Sequence, residues 1–540
     1  MSPRALVWAL IGLGCFAPSG WAQNAVIRKT DVCVYGATPA GIAAAIAAAR
    51  AGARVILIEP TKWIGGMVTG GLTSTDTGLQ ATIGGIAREF FERAAARYEG
   101  KNLWFAEPHA NAEAFEAMLK EAGVTVRRDL RLERVAMQGE RIAALSTDAG
   151  AIYLARVFID ASYEGDLLMQ AGVDSIVGRE SREKYDEPLA GFFPMPIRPR
   201  TVEVMESVCS CLGGTGPHYI HGTPCKIAAR DGQGKLLFGI GENHAAPGSA
   251  DGLTQAYNFR LVVTRRPDLR MPFTKPDGYD PARYALLLKL IEAYPGVRFG
   301  RLVHLGKVAE DKFDLNAQGL FSTDYPGANT AYPDASWDER KKIYDDHQRF
   351  IQGFLWFLAS DERVPKRLRD EVAEWGLCRD EFMDNDHWPY ALYVREGRRM
   401  IGEYVMVQKD CQREVTKPDS VGMGSFVIDS HIVERIVDDE GNVSDEGSFI
   451  DAPCKPYQIP YRSLTPRREQ CENLLVPVCL SASHVACCTL RMEPVYMALG
   501  HAAGVAAKLA IDTDTAVQSI DVTALQGKLR EQKAVLELKK

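Results

Sequence analysis

The fold is decided by the stretch DVCVYGATPAGIAAAIAAARAGARVILIE, residues 31–59. Its apolar opening, 31–35, predicts a buried parallel strand, because such a strand is covered on both faces. A glycine-containing turn and a run of alanine and isoleucine follow, and they favour a helix with small side chains. A second apolar run, 54–58, ends at Glu59. Strand, glycine turn, helix, strand and acid in this order predict a dinucleotide-binding βαβ unit.

Each part of this unit has a physical role toward a nucleotide. Gly36 permits the tight turn out of the strand, and Gly41 lets the helix approach the sheet closely. The helix start offers unpaired N–H groups and a positive dipole end to a pyrophosphate. Glu59 can accept hydrogen bonds from a ribose diol, and an acid there disfavours the 2′-phosphate of NADP. Thr38 stands where the usual pattern has its second glycine, so the sequence departs from the pattern at that position.

Two further segments predict contact with an extended cofactor. The sequence WIGGMVTGG, residues 63–71, contains two glycine pairs, which let the backbone pass close to a ligand. The apolar run 157–160 predicts a strand that leads into small residues and Gly165. This strand places Asp160 near the ribityl-phosphate region of the cofactor. The alternative for Asp160 is a helix cap or a turn acid.

Six segments lie between about residue 31 and about residue 508. They are VYGATPAGIAAAIAAARAG, IEPTKWIGGMVTGGL, FIDASYEGDLLMQAGV, QAYNFRLVVT, YVREGRRMIGEYVM and NLLVPVCLSASHVACCTLRMEPVYMALGHAAGVAA. Together they resemble a bacterial family of FAD-dependent oxidoreductases within the glutathione-reductase-like superfamily. The first segment is common to many nucleotide-binding folds, whereas the later ones make the resemblance specific.

The resemblance implies an α/β fold with FAD as the cofactor. A Rossmann-like, discontinuous FAD-binding domain would comprise residues 27–180 and a return at 455–515. An inserted α+β substrate or cap domain would occupy 181–454, and 516–540 would form a C-terminal helical tail. The cofactor-binding residues carried over by motif are Gly36, Thr38, Ala40 and Gly41 at the pyrophosphate, Glu59 at the adenosine ribose, Gly65, Gly66 and Met67 beside the phosphates and ribityl chain, Val135 at the adenine, Asp160 and Ala161 along the dinucleotide, and Met492 at the flavin.

The predicted reaction face lies in the return segment. The sequence RMEP, 491–494, precedes a long apolar helix whose start faces the pyrimidine edge of the flavin in similar proteins, where the helix dipole stabilises negative charge. His484 is a catalytic candidate as a general base or a substrate hydrogen-bond partner. Arg491 is a candidate for binding a substrate carboxylate or hydroxyl, or for supporting the reduced flavin. The alternatives are a structural histidine bonded to backbone and a salt bridge beneath the helix.

The middle of the chain contributes further candidates. Asn258, Arg260, Arg395 and Arg399 could form the cap over the flavin. Pairing of arginines with carboxylates inside the domain is the alternative, and we favour it for at least two of them. The acidic sequence DNDH, 384–387, could hold a cation, but no repeating ligand pattern accompanies it. No metal site is therefore predicted.

Composition and motif content limit the function. Sixty-three Lys and Arg residues against 70 Asp and Glu give a formal net charge of −7, which leaves no basic excess for nucleic acid. The single nucleotide motif argues against a pyridine-nucleotide reductase, and the missing Cys-x-x-Cys pair argues against a disulfide reductase. We expect an FAD-dependent oxidoreductase that takes a hydride or electrons from a small organic substrate, for instance a carbohydrate-like one. The electron acceptor is not identified, and the alternatives are an NAD-dependent dehydrogenase or a non-catalytic exported flavin-binding protein.

The N-terminus predicts export. An apolar run follows Arg4, and the small-x-small sequence GWA at 20–22 resembles a cleavage site, so residues 1–22 have the pattern of a signal peptide. We expect a periplasmic or extracellular mature chain without a membrane span, because no later segment is expected to be long and apolar enough to cross a membrane. Removal of Cys15 with the signal leaves an odd number of the 12 cysteines. The candidates for disulfide bonds are Cys209, Cys211 and Cys225, whereas Cys33 is expected to be a buried apolar residue.

Overall fold

The computed structural model describes residues 26–101, 103–194, 227–242, 244–412, 416–451 and 455–538. The predicted signal peptide, 1–22, and the cysteines Cys209, Cys211 and Cys225 lie outside the described residues. Cys33 is fully buried in an apolar cluster, as predicted. The adjacent Cys487 and Cys488 are both free thiols.

A five-stranded parallel sheet forms the centre of the nucleotide-binding region. Its strands lie in the order Leu474–Leu475, Val157–Asp160, Val32–Tyr35, Val55–Ile58 and Thr125–Arg127. The three central strands are buried at every position, which explains their nearly continuous apolar sequence. The middle strand leads through the glycine turn into the helix Pro39–Arg50. The predicted βαβ unit and the Rossmann-like α/β class are thereby confirmed, and one strand of the sheet comes from the distant C-terminal part of the chain.

The helix Pro39–Arg50 packs against the long helix Glu493–Thr513 through small residues. A Cβ atom at Gly500 would lie 2.0 Å from the carbonyl oxygen of Ala40, so only glycine permits this approach. The helix Glu493–Thr513 is long and apolar enough to cross a membrane by length and composition alone, which corrects the expectation that no later segment is. Its most apolar window is 83% buried inside the protein, as in the core helix of a globular protein.

A four-stranded sheet flanks the parallel sheet. Its strands lie in the order Val26–Lys29, Ala151–Leu154, Arg141–Thr147 and Leu132–Gln138; the first pair is parallel and the others are antiparallel. The Tyr35 hydroxyl accepts a hydrogen bond from the Leu132 N–H at 3.1 Å, which connects the two sheets.

The middle of the chain contains a second, antiparallel sheet and its own apolar core. The strands of this sheet lie in the order Arg270–Pro272, Gly376–Cys378, Leu261–Thr264, Lys312–Ala317 and Val303–Lys307. Beside it lies the helix Trp337–Ser360, which starts with a capping box between Ser336 and Glu339. The mixed α and β content agrees with the inserted domain expected there, and the exact domain boundaries stay predictions.

Short ladders and helices complete the described structure. Two-stranded ladders pair Ser175–Ile176 with Arg399–Met400, Ser420–Gly424 with Tyr457–Pro460, Ile428–Ser430 with Phe449–Asp451, and Glu434–Val437 with Val443–Glu446. The other α-helices are Gly66–Gly70, Gly85–Ala96, Pro108–Ala122, Asp166–Gln170, Arg182–Tyr185, Ala285–Ala293, Lys366–Ala373, Gln408–Gln412, His484–Leu490 and Val522–Glu531.

Candidate cofactor site and reaction face

The glycine turn of the βαβ unit closes tightly against the end of the neighbouring strand. Gly36 has a φ of +92°, and a Cβ atom there would lie 2.8 Å from the carbonyl carbon of Ala161. A Cβ atom at Gly41 would lie 1.9 Å from the carbonyl oxygen of Gly36. Thr38 caps the helix, because its hydroxyl accepts from the Gly41 N–H at 3.2 Å and donates to the Ala161 carbonyl at 2.7 Å. Both hydrogen bonds of the Thr38 hydroxyl are therefore made to other residues of the protein. Ala40 supplies a first-turn amide that has no acceptor within the helix.

Glu59 lies at the carboxyl end of the strand Val55–Ile58, beside the glycine turn. One carboxylate oxygen accepts from the Ala37 N–H at 2.8 Å, and the other accepts from the Thr61 N–H at 2.9 Å and hydroxyl at 2.8 Å. An ionised carboxylate has about four acceptor positions, so about one is left for a ribose hydroxyl. Burial raises the pKa of Glu59 to about 7, against the opposing effect of these hydrogen bonds.

Asp160 and Val135, predicted to line the dinucleotide, have different surroundings. One oxygen of Asp160 accepts from the Ser162 N–H and hydroxyl, at 3.1 and 2.7 Å, and the other accepts from the Leu168 N–H at 2.8 Å. Burial raises the pKa of Asp160 to about 6. This geometry favours the alternative interpretation of Asp160 as a cap, here for the helix Asp166–Gln170. Val135 is half-buried on the edge strand of the flanking sheet, where one side of its backbone faces away from the ladder.

The second glycine cluster is tied to the first turn. Gly65 and Gly66 have φ values of +93° and +48°, and the Gly65 N–H donates to the Ala37 carbonyl at 2.7 Å. A Cβ atom at Gly66 would lie 2.5 Å from the Tyr163 hydroxyl oxygen. That hydroxyl accepts from the Met67 N–H at 3.1 Å. The backbone at these predicted cofactor residues is thus held close to Tyr163 by geometry that requires glycine.

Tyr163 also reaches the start of the long C-terminal helix. Its hydroxyl donates to one carboxyl oxygen of Glu493 at 2.6 Å. The other oxygen of Glu493 is buried and has no hydrogen-bond partner among the described residues. Burial raises the pKa of Glu493 to about 8, although the Tyr163 hydrogen bond lowers it. Met492, predicted to contact the flavin, is the buried N-cap residue of this helix.

His484 is the first residue of the helix His484–Leu490 and is completely buried. Its backbone N–H donates to Glu180 at 2.9 Å, and its Nδ1 lies 2.8 and 3.0 Å from the two carboxylate oxygens of Glu396. Its Nε2 is buried without a hydrogen-bond partner in the part of the chain that the structure describes. Arg399 forms ion pairs with both Glu180 and Glu396. His484 is therefore held through a carboxylate, and not through the backbone carbonyl expected for a structural histidine.

Arg491 follows the other end of this short helix. Its Nη1 donates to the Tyr393 hydroxyl at 2.9 Å, and its Nη2 donates to the carbonyl and carboxylate oxygens of Asp429 at 2.9 and 3.2 Å. The guanidinium groups of Arg395, Arg491 and Arg260 lie 4.7, 5.9 and 6.0 Å from the centre of the Tyr393 ring. The ion pair with Asp429 agrees with the salt bridge that was the alternative interpretation of Arg491. The buried hydroxyl of Tyr393 is a second partner of the same guanidinium.

Each predicted cap arginine has a carboxylate partner, as the alternative interpretation expects. Arg260 pairs with Asp314 at 2.7 Å, and Arg395 pairs with Asp324 at 2.8 Å. The fourth cap candidate, Asn258, is fully buried and donates to Asn316 at 3.2 Å.

One amide connects His484 to the arginine cluster. Gln255 donates to Glu396 at 3.1 Å and accepts from the His431 N–H at 3.0 Å. The Nδ1 atom of His431 lies 2.8 Å from Asp324, the partner of Arg395. His484 and Arg491 have no direct contact among the described atoms, but they belong to one polar network.

Sequence reasoning missed several members of this network. Most of them lie within the segments that carry the family resemblance, and those segments could have identified them. Asp324, Asp429 and His431 lie outside these segments, and no sequence pattern marks them. The missed residues are Tyr163, Gln255, Asp324, Tyr393, Glu396, Asp429, His431 and Glu493.

One group of described residues has metal-ligand chemistry, namely Glu107, His109 and Glu381. The ammonium of Lys312 lies 2.5 Å from Glu107, 2.7 Å from Glu381 and 2.8 Å from Asp380. Because a protein cation already neutralises these carboxylates, the group gives no support for a metal ion.

The residues at the two glycine turns fit FAD. The start of the helix Pro39–Arg50 provides amides and a positive dipole end for a pyrophosphate, and Glu59 keeps an acceptor position for a ribose. The unpartnered oxygen of Glu493 offers a further polar contact to a bound group. A small cavity near Tyr163 is lined by residues that include Arg395, Glu396, Cys479 and Tyr496.

Solved structures with similarity to the chain include several flavoproteins. A mutant of a flavin monooxygenase from Stenotrophomonas maltophilia is 20% identical, with 24% of this chain and 37% of that chain covered and a TM-score of 0.19. The thioredoxin reductase of T. acidophilum is 18% identical, with coverage of 25% and 35% and a TM-score of 0.17. The amino acid oxidase NikD, essential for nikkomycin biosynthesis, is 16% identical, with coverage of 28% and 57% and a TM-score of 0.22. The chain thus spans less than two thirds of each of these proteins. No protein of curated function matches the sequence.

The family assignment rests on the sequence. The sequence model described as FAD dependent oxidoreductase matches residues 31–529, which is most of the chain. This match confirms the predicted FAD cofactor and the oxidoreductase class. It gives no support to an NAD-dependent dehydrogenase or to a non-catalytic flavin-binding protein. The chain belongs to the FAD dependent oxidoreductase family.

Proposed function

We propose that this enzyme oxidises a small organic substrate at a hydroxyl or amino carbon, with His484 as the general base. The observation that carries the proposal is the arrangement of the imidazole: Glu396 holds Nδ1, while Nε2 is buried and has no hydrogen-bond partner among the described residues. A base needs one ring nitrogen oriented and the other available, and this arrangement supplies both. FAD, when bound, supplies the two-electron acceptor.

The surrounding charges suit this role. Burial raises the pKa of Glu396, but the charge of Arg399 and the hydrogen bonds with His484 and Gln255 outweigh burial and hold it at about 2. The ionised carboxylate favours a proton on Nδ1, so the lone pair of Nε2 can take the proton of a substrate hydroxyl or amine. Arg399 balances the carboxylate charge by pairing with it and with Glu180. Glu396 is thus a positioning residue for His484.

Anaerobic bleaching of the flavin absorbance tests the proposal. A panel of sugars, alcohols, amines, amino acids and hydroxy acids is mixed with oxidised holoenzyme, and at least one compound should bleach it. His484→Ala should slow bleaching by about 100-fold or more, the usual contribution of a general base, and should keep its FAD. Glu396→Gln should slow bleaching less and shift its pH profile. His347→Asn changes an equally buried histidine in the middle core and is the matched control. Unchanged bleaching in His484→Ala would remove His484 from the mechanism.

We propose further that the mature enzyme is exported and that carbohydrate-like compounds belong to its substrate class. The apolar N-terminal run and the small-x-small sequence at 20–22 support export. Cell fractionation of a tagged chain should place it outside the cytoplasm, and deletion of residues 1–22 should retain it inside. The electron acceptor follows from reoxidation of the bleached enzyme, with oxygen and quinones compared.

A further inference from the structure

Arg395 has an unused hydrogen-bonding edge inside the protein. The residue is 1% exposed. Its Nη1 donates to the Asp324 carboxylate at 2.8 Å and also to the Ala256 carbonyl oxygen. Its Nε and Nη2 are buried and have no hydrogen-bond partner among the described residues. These two nitrogens form one side of the guanidinium fork, which is the side that binds a carboxylate through two parallel hydrogen bonds.

Three carboxylates near this edge already have partners of their own. Asp324 divides its oxygens between Arg395 and His431, Asp314 binds Arg260, and Asp429 binds Arg491. The Nε atom of Arg491 is likewise buried without a partner among the described atoms. Asp76 faces the same arginine cluster, near Arg260 and Arg491, but no hydrogen bond joins it to Arg395. The Nε and Nη2 edge of Arg395 thus has no hydrogen-bonded carboxylate among the described residues, and an unfilled buried donor pair of this kind is costly.

The charges around Arg395 agree with a binding site for an anion. Burial lowers the pKa of Arg395, although the Asp324 charge raises it. The neighbouring guanidinium of Arg491 lowers it further, while the pairing of Arg491 with Asp429 keeps that second charge in place. An anion bound to the free edge would reverse the effect of burial, because it would return a charged hydrogen-bond partner to the guanidinium.

Arg395 also belongs to the polar network of the proposed base, through Asp324 and His431. The next residue along the chain is Glu396, which holds His484, and Arg395 lines the same cavity as Tyr163, Cys479 and Tyr496. A ligand held at Arg395 is therefore close to both the cofactor-side residues and the His484 network.

We propose that the Nε and Nη2 edge of Arg395 binds the carboxylate of the substrate, which makes the substrate class small hydroxy- or amino-carboxylates, sugar acids included. This inference rests on the proposed oxidation and names its substrate. A single planar, bidentate edge matches one carboxylate, whereas a neutral sugar or alcohol would leave the donor pair unfilled.

Propionate and its neutral analogue propionamide test the site directly. Each is titrated into oxidised holoenzyme, and binding is followed by perturbation of the flavin spectrum and by calorimetry. Propionate should bind at least tenfold more tightly than propionamide. Arg395→Gln should weaken propionate binding at least tenfold and leave propionamide unchanged, and Arg395→Lys should retain part of the affinity. Arg435→Gln removes an equally buried guanidinium elsewhere in the middle core and should have no effect on propionate.

The outcomes separate the site from the reaction. Equal affinity of the wild type for propionate and propionamide would overturn the carboxylate site, whatever the variants do. Unweakened propionate binding by a folded, FAD-loaded Arg395→Gln protein would overturn it as well. Bleaching by neutral alcohols or sugars but by no carboxylate would also overturn it and leave the oxidation in place. Arg395-dependent propionate binding without bleaching by any compound would retain the anion site and refute the proposed oxidation.

Discussion

Replacement of Glu493 by Gln isolates the cost of one buried carboxyl group. Burial raises the pKa of Glu493 from 4.5 to about 8, and the Tyr163 hydroxyl donates to it at 2.6 Å. The pKa is higher in the folded than in the unfolded protein, so this group's contribution to stability is complete below pH 4.5 and is lost as the pH rises through about 8. At about 1.4 kcal/mol per pKa unit, the loss amounts to about 5 kcal/mol.

Glutamine keeps the oxygen that accepts from Tyr163 but does not ionise. We therefore expect Glu493→Gln to resemble the wild type near pH 5 and to become more stable than it by up to about 5 kcal/mol near pH 9. The measurement is urea unfolding at fixed, saturating FAD from pH 5 to pH 9, and the quantity compared is the difference in free energy of unfolding between variant and wild type. Taking this difference cancels the titration of other buried acids such as Glu59.

Glu469→Gln makes the same chemical change at an exposed position and is the control. Its difference from the wild type should stay within about 0.5 kcal/mol at every pH. A Glu493→Gln difference that does not change with pH, or that turns against the variant as the pH rises, would refute the reasoning. A variant that loses its FAD at pH 5 would show instead that the carboxyl group is needed for cofactor binding.

Three further predictions concern packing, cofactor affinity and buried charge. Gly500→Ala should lower the free energy of unfolding by about 1–3 kcal/mol, because its Cβ would lie 2.0 Å from the Ala40 carbonyl oxygen. Gly527→Ala places its Cβ in open space on a helix and should be neutral or stabilising in the same thermal unfolding assay. Glu59→Gln should weaken FAD binding about tenfold in fluorescence titrations, because an amide replaces one of two acceptor oxygens; unchanged affinity would contradict the ribose contact. Lys312→Met should lower the free energy of unfolding by about 3–5 kcal/mol, because three carboxylates then face one another without a cation. A smaller loss in urea unfolding would show that solvent reaches these carboxylates.

The parts of the fold that follow from local sequence could be predicted closely. The strand Val157–Asp160 has the predicted bounds. The helix Pro39–Arg50 starts earlier than the alanine run, because Thr38 caps it and proline is accepted in a first turn. The strand Leu474–Leu475 is short and could not be bounded from the apolar sequence around it, because Pro477 cannot donate to a ladder beyond it.

The reaction face could be predicted only in part. The long helix Glu493–Thr513 follows from its apolar segment, whereas the short helix His484–Leu490 was not predicted. The partner of His484 lies 88 residues away in sequence, and spacing cannot show such a pair. The same is true of the 71 residues between Arg395 and Asp324. The cofactor contact of Asp160 stays a prediction, because a carboxylate at a strand end serves equally well as a cap for the next helix.

The division of the parallel sheet between distant parts of the chain has a consequence for biosynthesis. The helix Pro39–Arg50 is apolar almost all round, and the helix that covers it, Glu493–Thr513, lies far downstream in the sequence and is translated much later. A nascent chain therefore exposes the apolar face of Pro39–Arg50 until Glu493–Thr513 has been synthesised. The FAD-binding fold is completed only when both parts of the chain are present. Chains truncated before Glu493 are expected to lack bound FAD and to be degraded by proteases, even when their amino-terminal half is complete.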